Sequence, residues 1–291
     1  MRVIAAIILF FTFQFSLAQN LVTNGDFESN IGCASLNGNI NNDALPWNSI
    51  GYSNYFNVCN PNLIFSIPKN LVQLKGYQWP HSGNAYSGFN TYLALGTNVR
   101  EYIWAPLNDT LLNGREYCVE FYLNLFNASK YGNDAIGAYF SDSAINCPTF
   151  SCLLSDTPQV VSPLGIVITD TLNWTKVSGS FFAKGGERFI AVGNFLPDSQ
   201  LTIALNDSTQ PHSTYYYIDD LSVFSCDSSS GVNKLNKDLE ITVYPNPVSD
   251  LITIASPKLI YELALEDVSG QILLQAIGNR SNIHCFSLLF L

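Results

Sequence analysis

The chain has 291 residues, a formal net charge of −10 and a hydrophobic content of 47%. Charged residues make up only 12%, while Phe (19), Tyr (15) and Trp (4) are plentiful, which excludes a disordered chain and favours a β-rich one with a large core and room for a small second domain. The acidic balance, with no run of Lys and Arg, excludes a nucleic-acid partner.

Residues 1–18 read as an export signal. Arg2 is the positive end, Val3 to Phe15 the apolar run, and Ser16-Leu17-Ala18 a small-x-small cleavage site before Gln19. The run falls short of the ~20 residues a membrane span needs, and Gln14 interrupts it. No other segment is long and apolar enough to span, so the mature protein is expected to be soluble or surface-attached.

Asn20 to Glu28 is expected as an opening strand and turn. Residues 31–70 are rich in Asn, Gly, Ser and Pro, and predict a long ordered loop. Gln78 to Gly88 is a turn leading into a strand at Phe89–Leu95, and Arg100 to Leu107 is a strand stopped by Pro106. Tyr117 to Leu125 alternates clearly, with Tyr117, Val119, Phe121, Leu123 and Leu125 on the inner face. Further strands are expected at Ala135–Ser141, Gln159–Ile168, Trp174–Ala183 and Phe189–Phe195, with Gly185-Gly186 as a hairpin turn. The closing strand is Tyr215 to Cys226. Tyr217, Leu221 and Val223 are expected on one face of it, Ser222, Phe224 and Cys226 on the other, and Asp219 and Asp220 interrupt the apolar pattern.

All cysteines but Cys285 fall in the large domain, and an exported chain meets an oxidising compartment. The preferred pairing is Cys33–Cys59, Cys147–Cys152 and Cys118–Cys226, among many that the spacing permits. No Cys-x2-Cys or Cys-x2-His spacing supports a zinc site.

A long series of short strands and no convincing helix indicate an all-β chain, an antiparallel sandwich. Asn24-Gly-Asp-Phe-Glu28, the strand Trp174 to Phe182 and Tyr217-Ile-Asp-Asp-Leu-Ser-Val223 resemble jelly-roll carbohydrate-binding modules of the galactose-binding-like class, over about residues 19–226. With His81-Ser-Gly-Asn-Ala-Tyr86 and Arg100-Glu-Tyr-Ile103, the chain more narrowly resembles a group of Bacteroidetes surface proteins. A polar linker, 227–238, follows. Tyr244-Pro-Asn-Pro-Val-Ser-Asp250 and the later Asp267-Val-Ser-Gly270 resemble the C-terminal sorting domain of the type IX secretion system, which implies a small Ig-like β-sandwich over 239–291 that engages the type IX machinery. In that family a Gly-x-Tyr strand and a lysine-bearing final strand follow; Asn282 to Leu291 lacks both, so the domain is expected to be incomplete at its end, with Cys285 lacking a native partner.

The resemblance implies a structural Ca2+ held by acids of the first and last strands. Asp26, Glu28, Asn84, Asp219 and Asp220 are the candidates, and hard oxygen ligands suit that ion. The competing reading is that these residues cap turns and strand ends. Trp47, Tyr52, Tyr55, Trp79, Tyr86 and Trp104 are candidate sugar-stacking rings, with Asn48, Asn54 and Gln78 as hydrogen-bonding neighbours. Their competing role is to cover the core beneath the loops.

Catalytic machinery is not legible. His81, His212 and His284 are dispersed, no Gly-x-Ser-x-Gly elbow is present, and the separation of acids such as Glu101, Glu116, Glu120 and Asp134 cannot be read from sequence. Asn-x-Ser/Thr triplets, at Asn108 for one, read as chance in an Asn-rich chain. The expected function is a non-catalytic exported protein, secreted or on the outer cell surface, binding a glycan or another surface component. An adhesive protein with protein partners and a glycoside hydrolase are the alternatives.

Overall fold

The computed structural model describes residues 19–30, 38–71, 76–94, 96–149, 151–209 and 213–226, and five C-terminal strands lying between 242 and 287. The expected signal at 1–18, the linker at 227–238, the Pro245–Asp250 motif and Cys33 of the expected Cys33–Cys59 pair lie outside these described residues. The chain divides into two compact units, Met1–Ser229 and Ser230–Leu291.

The first unit is an antiparallel jelly-roll β-sandwich. Its strands are β1 (Asn48–Ile50), β2 (Asn54–Asn57), β3 (Lys69–Asn70), β4 (Gly76–Tyr77), β5 (Ala85–Leu93), β6 (Tyr102–Pro106), β7 (Glu116–Leu125), β8 (Tyr131–Asn133), β9 (Ile136–Ser141), β10 (Val160–Val161), β11 (Thr175–Phe182), β12 (Phe189–Asn194), β13 (Ile203–Leu205) and β14 (Ser213–Ser225). One five-stranded sheet runs β11-β7-β14-β5-β2 and the other β1-β6-β12-β9-β10. The last strand of the unit therefore lies in the middle of its sheet, between β7 and β5.

The alternation read for β7 holds: Tyr117, Val119, Phe121, Leu123 and Leu125 are all buried. Opposite them, the second sheet contributes Ile103, Ala105, Ile136, Ala138, Phe140, Ile190 and Val192 to the same core. Fully burying a side chain of this size stabilises by about 1.5–3 kcal/mol before chain entropy is counted.

The structure corrects four expectations. The region 31–70 is no single loop: its described part holds a one-turn helix, α1 (Ile40–Asp43), and strands β1 to β3. The Asn39 side chain caps α1 by accepting from the Asn41 amide. The opening segment is not a regular strand. It touches Leu107 through one bridge at Val22, then turns, with Asn24 and Phe27 at positive φ. It does lie along β14, as the Leu21 amide donates to the Val223 carbonyl at 2.7 Å and the Leu221 amide to the Gly25 carbonyl at 2.9 Å. The strand expected at 159–168 is only β10, because Pro163 withholds a donor and Gly165 takes φ 79°. Finally, Tyr217 does not share a face with Leu221 and Val223. Leu221 and Val223 join Tyr216 and Ile218 in the main core, whereas Tyr217 joins Phe56, Tyr86, Phe126 and Tyr215 in a separate aromatic cluster. A register shift between Asp219 and Ser222, with Asp220 at φ 48°, inserts one residue against β7 and swaps the faces.

Two of the expected disulfides are present. Cys118–Cys226 ties β7 to the end of β14, with a Cα–Cα distance of 5.2 Å. Cys147–Cys152 closes a short loop, with a Cα–Cα distance of 6.1 Å.

The second unit contains β15 (Thr242–Tyr244), β16 (Leu251–Ala255), β17 (Ile260–Glu266), β18 (Ile272–Arg280) and β19 (Ile283–Ser287). They pair antiparallel as β15-β16-β19 and β17-β18. Among the described residues of the whole chain, no helix is long and apolar enough to cross a membrane.

Candidate functional site

The outer face of the sheet β1-β6-β12-β9-β10 is built from residues that alternate with its core positions. Across that face Asn48 pairs with Trp104, Trp104 with Ala191, and Ala191 with Tyr139. Side chains directly opposite one another across strands point to the same side. Trp104 and Tyr139 thus stand level, roughly 10 Å apart, two strand spacings, with the small Ala191 between them.

The segment after β9 folds over this face. Ile145, Cys147, Cys152 and Leu154 pack on Ile50, Tyr102, Ala191 and Phe195. The Leu154 amide donates to the Tyr102 hydroxyl at 3.1 Å, and the Ser151 hydroxyl to the Arg100 carbonyl at 2.6 Å. Arg100 is itself buried. It pairs with Asp198 at 2.7 Å and donates to the Val99 and Leu196 carbonyls at 2.9 and 2.8 Å. A buried charge needs such partners, and these fix the base of the loop.

Between this segment and the β1 edge lies a groove of about 360 Å3, lined by Asn39, Asn41, Ser49, Ile50, Gly51, Tyr52, Trp104, Ile145, Asn146, Cys147 and Thr149. Tyr52 is 72% exposed. Trp104 is half-buried, its edge against Phe189 with ring centroids 6.0 Å apart. Ser49 donates to the Asn41 side chain at 3.0 Å. Among the described residues, no charged side chain lines the groove. Its chemistry is ring faces, amides and hydroxyls.

The Tyr52 turn is anchored from beneath. Gly51 has φ 90°, and a Cβ there would lie 2.5 Å from the Glu101 Cγ. Glu101 is buried, accepts from the Tyr52 amide at 3.1 Å and accepts from the Asn90 amide at 2.7 Å. Burial raises its pKa, and the backbone donors hold it back down in part.

Of the rings expected to stack on sugar, the structure removes three. Trp47, Tyr55 and Tyr86 are completely buried. The Trp47 indole donates to the Asn24 carbonyl at 2.7 Å, the Tyr55 hydroxyl to the Phe27 carbonyl at 3.0 Å, and the Tyr86 hydroxyl to the Gln78 carbonyl at 3.3 Å. Each polar tip has a protein partner, so these rings fill the interior beneath the loops and offer no face to a ligand. Trp79 is exposed but lies apart from the groove, where its carbonyl accepts from the Trp174 indole at 3.0 Å. Only Trp104 and Tyr52 reach the groove. Of the expected amide neighbours, Asn54 accepts from the Tyr215 hydroxyl, Asn48 donates to the Pro46 carbonyl and Gln78 is buried.

The acids expected to hold calcium assemble as caps. Glu28 and Asn84 do meet: Glu28 accepts from the Asn84 and Ala85 amides at 2.6 and 2.9 Å. Asp219 accepts from the amides of His81, Ser82 and Asp220 at 2.8, 3.3 and 2.7 Å. Asp220 accepts from the Ser82 hydroxyl at 2.8 Å and pairs with the His81 ring. Asp26, His81, Glu120, Tyr122 and Asp220 line a second, open cleft of about 480 Å3. Among the described residues, no group of three or more His, Cys, Asp or Glu is placed to hold one ion. As assembled, oxygens of Glu28 and Asp219 accept backbone amides, and those of Asp220 meet the Ser82 hydroxyl and the His81 ring.

The His81–Asp220 pair was not legible in the sequence. His81 stacks on Tyr122, with ring centroids 3.7 Å apart, and Lys176 pairs with Glu120 at 2.5 Å beside it. The Ser82 hydroxyl and the Asp219-Asp220 bulge together hold this turn.

No family model and no curated protein matches the chain. Among solved structures it is similar to the CBM22-1 xylan-binding domain of Paenibacillus barcinonensis Xyn10C, with 9% identity, a TM-score of 0.35, and coverage of 72% of this chain and 95% of that one. It is also similar to the K1 adhesin domain of Lys-gingipain from Porphyromonas gingivalis W83, with 16% identity, a TM-score of 0.33, and coverage of 66% and 96%. A third is TmCBM61, solved with β-1,4-galactotriose, at 14% identity, a TM-score of 0.32, and coverage of 72% and 99%. By its own strands and register, the first unit is an all-β jelly-roll sandwich carrying an uncharged aromatic groove on one outer face.

Proposed function

We propose that the first unit is a non-catalytic glycan-binding module of an exported surface protein. The observation that carries this reading is the groove between Tyr52 and Trp104. A sugar ring has apolar C–H faces and a rim of hydroxyls; it wants flat rings for the first and amides and hydroxyls for the second. The groove supplies both and carries no charge that a neutral sugar would have to desolvate. The export signal and type IX-like sorting pattern read in the sequence support the address, and the Cys118–Cys226 and Cys147–Cys152 bridges accord with an oxidising compartment.

The test is a glycan array followed by titration of the best oligosaccharide. Tyr52→Ala and Trp104→Ala are each expected to weaken binding about tenfold or more with the fold retained. Retention of full affinity in both variants, or no glycan bound at all, refutes the groove.

A further inference from the structure

The same sheet carries another cleft at its opposite edge, on the β9–β10 side and beside the β11–β12 turn. It measures about 510 Å3, and Tyr139, Asp142, Ser155, Asp156, Thr157, Lys184 and Glu187 are among its walls. Glu187 is the unusual member. It is only 6% exposed, and one carboxylate oxygen accepts from the Lys184 amide at 2.8 Å. Its other oxygen, Oε2, is buried and has no hydrogen-bond partner. A buried carboxylate oxygen without a donor is costly, and a donor brought by a ligand would complete its set.

The walls are net negative, since Asp142, Asp156 and Glu187 outnumber Lys184, and a positively charged group would complement them. Burial, followed by the hydrogen bond to Asp156, pushes the Tyr139 hydroxyl up to about 12, so that ring stays neutral. Among the described residues no three His, Cys, Asp or Glu side chains are grouped to hold one ion, which favours a complementary positive charge carried on a larger molecule. Ser155 and Thr157 offer hydroxyls and Tyr139 a ring, which suits a polyhydroxylated ring better than the plain aliphatic stem of a lysine side chain.

We propose that this cleft is a second binding site, selective for a sugar bearing a free primary amine. It stands apart from the Tyr52–Trp104 groove and does not rest on that groove's ligand.

The experiment is calorimetric titration of the full chain with a glucosamine tetramer, its fully N-acetylated counterpart and tetralysine. The glucosamine tetramer should bind saturably, and more tightly than the acetylated one. Glu187→Gln and Asp156→Asn should each weaken it about tenfold, as loss of a charge-assisted contact does. Asp156 is exposed, so its variant carries the test should Glu187→Gln lower the melting temperature. Equal affinity for the two tetramers, unchanged affinity in Asp156→Asn, or tetralysine binding as tightly as the amino sugar would each overturn the proposal. Neutral-glycan binding that responds to Tyr52→Ala reports on the groove alone, so failures at the two sites are distinguishable.

Discussion

Asp219 sits in the β14 bulge, fully buried, with amides of His81, Ser82 and Asp220 donating to its carboxylate. Burial first, and then the neighbouring Asp220 charge, push its pKa from 3.8 to about 8. A folded-state pKa above the unfolded one means that the folded chain holds the proton more tightly. The associated stability is complete below the unfolded value of 3.8 and is lost as pH rises through about 8. Thermal melting should thus fall between about pH 5 and pH 8 in the native chain, and Asp219→Asn should flatten that fall. An unchanged slope in the variant would assign the pH dependence to other groups. At this scale the sequence marked Asp219 and Asp220 correctly as conspicuous, since two acids in an apolar strand need an explanation. It could not say that their partners would be the amides, hydroxyl and imidazole of a turn more than a hundred positions away.

Elements were legible where one face is buried and the other wet. The five inward residues of β7 follow a strict period of two, and the structure keeps it. The faces of β14 were not legible, because one inserted residue at the bulge reverses the parity beyond it. The short edge strands β1 and β2 were hidden by their Asn and Ser content, since pairing with β6 and β5, and not local propensity, makes them strands. The groove itself depends on which strands are neighbours and on how the Cys147–Cys152 loop folds back, neither of which is written locally. Between β1 and β2, Gly51 both takes a left-handed φ and leaves room for Glu101. Gly51→Ala should cost upwards of about 1 kcal/mol in denaturant unfolding. It should also weaken glycan binding by displacing Tyr52. A variant as stable as the native chain would show that the turn can relax around the added methyl.

At the scale of the whole first unit, the Cys118–Cys226 bridge spans 108 residues and joins the long central strands. Closing a loop of that length restricts the unfolded chain, and the stabilisation is about 4–5 kcal/mol on chain-entropy grounds. Cys118→Ser with Cys226→Ser should lower unfolding stability by an amount of this order, read from the urea midpoint. A loss under about 1 kcal/mol would mean that the unfolded chain is already compact. The central place of β14 has a further consequence, one for the order of events during synthesis. A chain made from its N-terminus presents β5 and β7 long before the strand that joins them. Until residue 225 has emerged, both sheet halves show open edges and the opening segment lacks the β14 strand along which it lies. The central sheet can therefore be completed only after β14 is made, by contacts distant along the chain. Any stall short of that strand would leave the two edges that β14 joins unpaired and exposed to neighbouring chains.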